Sequence, residues 1–328
     1  MALKERIAAN RCPRAKIKEF DINGYIGGGG YGAVVEAEWM KKKRLCVIKI
    51  QNKSHLVESK VTESVIREKK IQYACRSAFI CRVRCSCQDW KNIYLVMDYA
   101  LFGDLRKNFQ EKKDFFTERA IKFCVAQVVL ALEYLHASDI LHRDLKLENI
   151  LVFEDGYIKL SDFGSAKQVP GTTATFVGTV HYLPPEVIHQ IPYRTGFDIW
   201  TLGVLIYVLF HRDFPFTEVS WSNARNFDAI QSGTLTFPGK RPMSEDAIDL
   251  TKQLLEREVS KRIGVARGGI KAIKRHPWFA DINFIHIFRK EVPSDFGFKH
   301  VEAREMDPSI LIPEVKMRDP FRDEFIEF

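Results

Sequence analysis

A single change of hydrophobic period, near residues 99–103, limits this chain to a strand-rich part followed by a helical part. Upstream of it, apolar residues come in short runs, and 22–26, 33–39, 45–51, 80–87 and 93–98 read as strands. Only 59–73 breaks that pattern, with Val61, Val65, Ile66 and Lys69 at helical spacing. Downstream, 117–137, 197–210, 224–231, 245–255 and 270–275 read as helices. From Ala280 the periodicity fades, and Pro293, Pro308, Pro313 and Pro320 suggest an extended tail. A length of 328 residues allows one large domain or two modest lobes, and 46% apolar residues supply a sizeable core.

The net charge of +8 raises the question of nucleic acid or anionic membrane. The positive residues are scattered, however, and the densest run, Lys41 to Arg44, falls between two predicted strands, where a solvated turn explains it. No nucleic-acid recognition motif is present, and no nucleic-acid partner is expected. Residues 1–10 are charged and lack the apolar stretch of a secretory signal. Ala2 rules out myristoylation at this start. The longest apolar stretch, 199–210, is too short to span a bilayer and reads as a buried helix. Seven cysteines without a signal fit a reducing compartment, so the cytoplasm is expected, with the nucleus also open to it. Cys81, Val83, Cys85 and Cys87 alternate with polar residues, so they read as one inward strand face rather than as metal ligands.

Gly27-Gly28-Gly29-Gly30-Tyr31-Gly32 followed by Val34 forms a glycine loop between strands. Glycines let backbone amides approach an anion with no Cβ in the way. Alone the pattern is weak, because it also opens dinucleotide-binding domains, but those need a helix directly afterwards. Here a strand follows, and Lys49 arrives at the end of Cys46-Val47-Ile48-Lys49. A strand lysine facing phosphates needs a counter-charge. Glu68 on the predicted helix is the best candidate, with Glu58 and Glu63 as rivals.

His142-Arg143-Asp144-Leu145-Lys146-Leu147-Glu148-Asn149, followed by Asp162-Phe163-Gly164, concentrates the chemistry. Asp144 can accept the proton of an attacking hydroxyl. Asn149 and Asp162 offer hard oxygen ligands suited to Mg²⁺. Lys146 can meet a transferring phosphoryl group. Any one of these residues alone reads better as a turn or a helix cap. The ordered set does not, because it matches the catalytic signature of protein kinases.

The chain resembles the eukaryotic protein kinases over 20–279, and within them the AGC group, near the cyclic-AMP-dependent enzymes. Further motifs carry the likeness: 94–99 (YLVMDY), 133–136 (EYLH), 177–186 (VGTVHYLPPE), 198–203 (DIWTLG), Lys261-Arg262 and 276–279 (HPWF). The implied fold is α+β and bilobal: a small β-rich lobe with one key helix (20–98), a hinge (98–103), a larger helical lobe (104–279) and an extended tail (280–328). The implied activity is phosphoryl transfer from ATP to serine or threonine of protein substrates, with two Mg²⁺ ions. Lys146 supports that hydroxyl class. The alternative is a non-catalytic scaffold with the kinase fold, disfavoured because Lys49, Asp144 and Asp162 are all present.

The likeness also implies residue roles. Adenine would meet Val34, Val47 and Leu151, with Met97 behind and the hinge stretch Asp98 to Ala100 alongside; Asp104 would meet ribose. Glu186 and Arg262 would form a buried scaffold pair, and Asp198 would brace the catalytic loop. Thr175 matches an activating phosphorylation position, with Arg143 and Lys167 as available cations and Thr172, Thr173 and Thr179 as competitors. Thr179 more naturally supports the catalytic loop. Phe325 and Phe328 form a terminal F-x-x-F that would dock beside the helix of Glu68. A regulatory subunit responsive to cyclic nucleotide is an implied partner.

Departures bear on substrate choice. Asp104 and Glu148 remain at positions that read arginine in basophilic relatives, but Val208 and His181 replace two further acids, which relaxes the expected demand for basic residues. Pro184 replaces the usual alanine of A-P-E. Lys316 stands where a phosphorylatable tail serine is expected, and the acidic-aromatic cluster that approaches ATP is not evident around 300–307.

Overall fold

The computed structural model describes residues 2–29, 32–111, 116–216, 223–238, 242–294, 303–305, 311–313 and 317–328. Gly30, Tyr31 and Lys316, and most of the tail stretch 300–307, lie outside the described residues. The chain divides into two compact units, one of Met1–Arg76, Ile80–Leu101 and His300–Phe328, the other of Ser77–Phe79 and Phe102–Lys299.

The first unit opens with helix α1 (Leu3–Ala9) and holds strands β1 (Phe20–Gly29), β2 (Gly32–Trp39) and β3 (Arg44–Asn52). Helices α2 (Lys53–Glu58) and α3 (Thr62–Ala74) follow, then β4 (Val83–Gln88) and β5 (Asn92–Asp98). All strand pairs are antiparallel, in the order β1-β2-β3-β5-β4. The helix read over 59–73 is α3, and a second short helix, α2, precedes it, started by Asn52, whose side chain accepts from His55 N at 3.1 Å. Lys60 then takes a left-handed φ of 56° between them.

Strand alternation gives this sheet two apolar faces. Val35, Ala37, Trp39, Cys46, Ile48, Tyr94 and Val96 pack on one, and Leu56, Val65, Ile93, Leu95, Phe325 and Phe328 on the other. The one-face reading of Cys81, Val83, Cys85 and Cys87 needs correction. A bulge lies between Val83 and Cys85, and an extra residue reverses side-chain parity. Val83 therefore joins the α3 face, while Cys85 and Cys87 join Cys46 on the opposite one. All three thiols are buried, and burial raises the pKa of each.

The second unit holds α4 (Leu105–Glu111), α5 (Glu118–His136), β6 (Ile140–Leu141), β7 (Ile150–Val152), β8 (Ile158–Leu160) and β9 (Lys167–Gln168). Helices α6 (Pro185–Ile188), α7 (Gly196–His211), α8 (Asn223–Ser232), α9 (Glu245–Leu254), α10 (Ile270–Lys274) and α11 (Phe284–Phe288) complete it. Every residue of α7 is buried, which is why its apolar residues run all around the helix rather than along one stripe. α5 starts where Thr117 accepts from Ala120 N at 3.3 Å, and α9 where Ser244 accepts from Ala247 N at 3.2 Å. Strands β6 and β9 pair with each other, as do β7 and β8, and these two small ladders hold the loop from His142 to Asn149. Among the described residues no helix is long and apolar enough to cross a membrane.

Candidate active site

The loop of Asp144 hangs from a buried carboxylate. Asp198, in the first turn of α7, accepts from the backbone N–H of His142 (3.0 Å) and of Arg143 (2.8 Å), and its Oδ2 lies 2.7 Å from His136 Nε2. Burial alone would raise the Asp198 pKa. The His136 hydrogen bond and charge, with His142 and the Arg143 N–H, outweigh burial and hold it below the ordinary value. Arg143 takes a left-handed φ of 65°, a conformation that costs a non-glycine residue and that these contacts impose. The His142 ring, buried, bonds Ser161 O at 3.0 Å and meets Phe163 edge-on, tying the loop to the Asp162-Phe163-Gly164 stretch.

Asp144 itself is gripped from three sides. Lys146 Nζ lies 2.8 Å from Oδ2, Thr179 Oγ1 donates to Oδ1 at 2.9 Å, and Asn149 Nδ2 donates to Oδ2 at 2.9 Å. Lys146 Nζ also donates to Thr179 Oγ1 at 3.0 Å, which closes a ring of polar contacts around the carboxylate. Thr179 thus bonds the loop of Asp144, unlike the exposed Thr172 and Thr175 before it.

Asn149 gives its amide hydrogens to Asp144, to the carboxylate and to the backbone oxygen (2.7 Å), which turns its amide oxygen the other way. Ile150 pairs with Leu160 across β7 and β8, and Ser161 N donates to Asn149 O at 2.8 Å. Asp162, the next residue, therefore stands beside Asn149, with a left-handed φ of 54°. One amide oxygen and one carboxylate are hard donors that fit magnesium, provided phosphate and water complete its shell.

In the first unit, Lys49 Nζ bonds Glu68 Oε1 at 2.7 Å. Glu68 on α3, not Glu58 or Glu63, is the partner, and it is almost wholly buried while the lysine keeps part of its surface. Cross-strand register puts Val34 opposite Lys49 and Val47 opposite Met97, so these side chains share one sheet face. Gly32 is a glycine for packing reasons: a Cβ there would fall 1.8 Å from Ile50 O. Gly27 faces open space. The Asp98 carboxylate is taken by Arg84 (2.5 Å) and Arg44 (3.5 Å), which leaves only its backbone for a ligand.

The tail docks on α3 within the same unit. Phe325 and Phe328 are buried among Leu56, Val65, Ile93 and Leu95. Gln88 Nε2 donates to the carbonyls of both, at 3.1 and 3.3 Å, and Lys53 Nζ reaches Asp319 at 2.5 Å. Lys69, next to Glu68, donates to Glu327 O and lies over the Phe328 ring; burial lowers its pKa to about 8. The helix α1 was not foreseen; Arg6 Nε donates to Ala74 O at the end of α3, at 2.8 Å.

Of the remaining predicted residues, Glu186 and Arg262 form a two-pronged buried pair at 2.7 and 3.0 Å. Asp104 caps α4 by accepting from Lys107 N at 2.8 Å and lies 3.8 Å from Lys107 Nζ. Glu148 lies 3.8 Å from Arg106 Nε. Leu151 is half-buried and bridges the backbone of Asp104. Thr175 is exposed, its hydroxyl 3.1 Å from that of Thr173, which Lys167 Nζ approaches at 3.5 Å. Arg143 Nη1 donates to Tyr193 OH (3.2 Å), and Tyr193 OH donates to Thr175 O (2.7 Å). Tyr193 was missed as a link, since a lone tyrosine after a loop gives no signal in sequence.

Fold and site together define the class. Residues 20–279 match the protein kinase domain family, and the chain belongs to that family of phosphotransferases. Among its curated relatives are the cAMP-dependent protein kinase type 3 of Saccharomyces cerevisiae, 36% identical over 81% of this chain and 66% of its own length. The cAMP-dependent protein kinase catalytic subunit of Arthrobotrys oligospora is 33% identical over 84% of this chain and 52% of its own. Serine/threonine-protein kinase akt-2 of Caenorhabditis elegans is 34% identical over 85% of this chain and 52% of its own. The chain spans about half to two-thirds of the length of these relatives.

Proposed function

We propose that this chain is a serine/threonine protein kinase of the AGC type, which transfers the γ-phosphate of ATP to hydroxyls of protein substrates with a relaxed demand for basic residues. The observation that carries this reading is the ring around Asp144. A carboxylate fixed by Thr179, Asn149 and Lys146 can orient a substrate hydroxyl and take its proton without first reorganising. Lys146, an ammonium beside that base, is placed to meet charge on the transferring group. Lys49, held by Glu68, pairs with the α- and β-phosphates. Asn149 and Asp162 would hold two magnesium ions, whose charge offsets that developing on the phosphate oxygens. Within the first unit, Gly27, Gly28, Gly29 and Gly32 would cover the phosphates, and Val34, Val47, Met97 and Ala100 would meet the base; Leu151 of the second unit is the further residue that the resemblance assigns to it.

Thr175 is the activating phosphorylation site in this reading, supported by its exposure and by the Arg143–Tyr193 link to its backbone. The relaxed basic preference is supported by two neutral positions. Val208 is buried in α7, and His181 stacks on Phe214 at 4.6 Å. Burial lowers the His181 pKa, against the opposing charge of Asp213, so the ring itself carries little charge near neutral pH. The similarity to cAMP-dependent kinases supports a regulatory subunit responsive to cyclic nucleotide as partner. The free thiols support residence in the reducing cytoplasm or nucleus.

A positional peptide array with purified protein, ATP and magnesium tests this reading. Phosphate on serine or threonine, with modest enrichment for arginine near the acceptor, is expected. Phosphate on tyrosine alone, or tight arginine selection next to the acceptor, contradicts it.

A further inference from the structure

Glu148 lies four residues past Asp144 on the same loop, and in the kinase reading above its carboxylate would border the approach of an acceptor side chain. The side chains around it link it to the Asp144 site. The buried Tyr182, three residues past Thr179, bonds the Leu147 backbone and feels the charges of both Glu148 and Arg106. A bare carboxylate at this place would hold a cation on an incoming peptide. It is not bare. Arg106, in the first turn of α4, brings Nε to 3.8 Å from Glu148 Oε1. The same helix treats the second acid alike: Asp104 caps α4 through Lys107 N, and Lys107 Nζ lies 3.8 Å from its other oxygen. The chain's own α4 therefore sets a cation against each acid on this side of the loop.

We propose that Arg106 is a built-in occupant of the Glu148 position, so that peptides are accepted without a cation at the subsite facing Glu148. This rests on the kinase reading above and names its substrate class: acceptor peptides that carry neutral residues upstream. The pair is accessible, with Arg106 40% and Glu148 47% exposed, so a substrate side chain can reach it. An incoming arginine would exchange one ion pair for another at Glu148, so its net gain is small while Arg106 is seated there.

The test compares peptides in which arginine is walked through the positions upstream of a fixed serine, each against its alanine version. Wild type is expected to change kcat/KM by less than about threefold at the position facing Glu148. Arg106→Ala should raise the arginine-to-alanine ratio there to about fivefold. Arg106→Lys should keep the wild-type ratio, and Arg106→Ala with Glu148→Gln should return to it. A ratio that Arg106→Ala leaves unmoved at every position overturns the proposal while leaving the kinase reading intact. Strong arginine selection by wild type that Glu148→Gln abolishes overturns it too. Absence of phosphoryl transfer to any peptide instead strikes the kinase reading, and the proposal with it.

Discussion

Thr179 and Asp144 are joined by a 2.9 Å hydrogen bond in which the threonine hydroxyl donates to the carboxylate, while the same hydroxyl accepts from Lys146 at 3.0 Å. One hydroxyl thus fixes both the spacing of acid and lysine and the direction of the carboxylate. Thr179→Val keeps the volume and removes the bond. We expect kcat to fall by about tenfold to a hundredfold, the cost of a misplaced reacting group, with little change in KM for ATP. Thr179→Ser should recover most of the rate. Steady-state kinetics on the three proteins decides it, and an unchanged kcat in the valine variant contradicts the role.

Arg262 and Glu186 are both buried and meet through two hydrogen bonds. Removing one partner leaves a buried charge without compensation. Glu186→Ala should cost about 3–5 kcal/mol of stability. Replacing both residues, as Glu186→Leu with Arg262→Met, should cost less than the single change, since no charge is left stranded. Chemical unfolding of the single and double variants measures the difference.

Phe328 fills part of the core behind α3, under Lys69. Phe328→Ala should destabilise the protein by about 3–5 kcal/mol, and Phe328→Leu by much less. Because Lys69 adjoins Glu68, the alanine variant should also lose kinase activity more steeply with temperature than its unfolding accounts for. Parallel thermal unfolding and activity curves that superimpose would exclude this coupling.

His211 closes α7, buried against Tyr207 with ring centroids 4.4 Å apart. Burial lowers its pKa, against a smaller opposing effect of the Pro238 carbonyl. The unfolded chain then binds the proton first. The stability that comes from keeping this ring neutral is present above an ordinary histidine pKa of about 6.5 and is lost as pH falls below it, down to the lowered folded value. His211→Phe should flatten the fall of the unfolding midpoint as pH drops below about 6.5. An equal slope in both proteins would show that His211 does not carry it.

Much of this was legible from residue order. Regular alternation placed the five main strands within a few residues, and apolar residues on all sides marked α7 as buried. The strand lysine and its helix pointed to Glu68, and the ordered Asp144, Asn149 and Asp162 came together on one pair of small ladders. What stayed hidden depends on events that period does not record. The bulge after Val83 reverses side-chain parity by one unpaired residue. α1, α4 and α11 are too short to display an apolar stripe, and α2 begins at an asparagine cap. That Asp104 also caps α4, accepting from Lys107 N, was not visible in the sequence. Arg106 carried no motif at all, and only the fold brings it to Glu148.

The account stands or falls on one set of groups: Lys49 with Glu68, and Asp144 with Asn149 and Asp162. The most direct test is transfer of labelled γ-phosphate from ATP to a serine peptide, with and without magnesium, for wild type, Asp144→Asn, Asp162→Ala and Lys49→Met. Magnesium-dependent transfer by wild type is expected, with a loss of at least about a thousandfold in each variant while all remain folded. Transfer that persists in Asp162→Ala, or wild-type protein that neither binds ATP with magnesium nor labels any peptide, would contradict it.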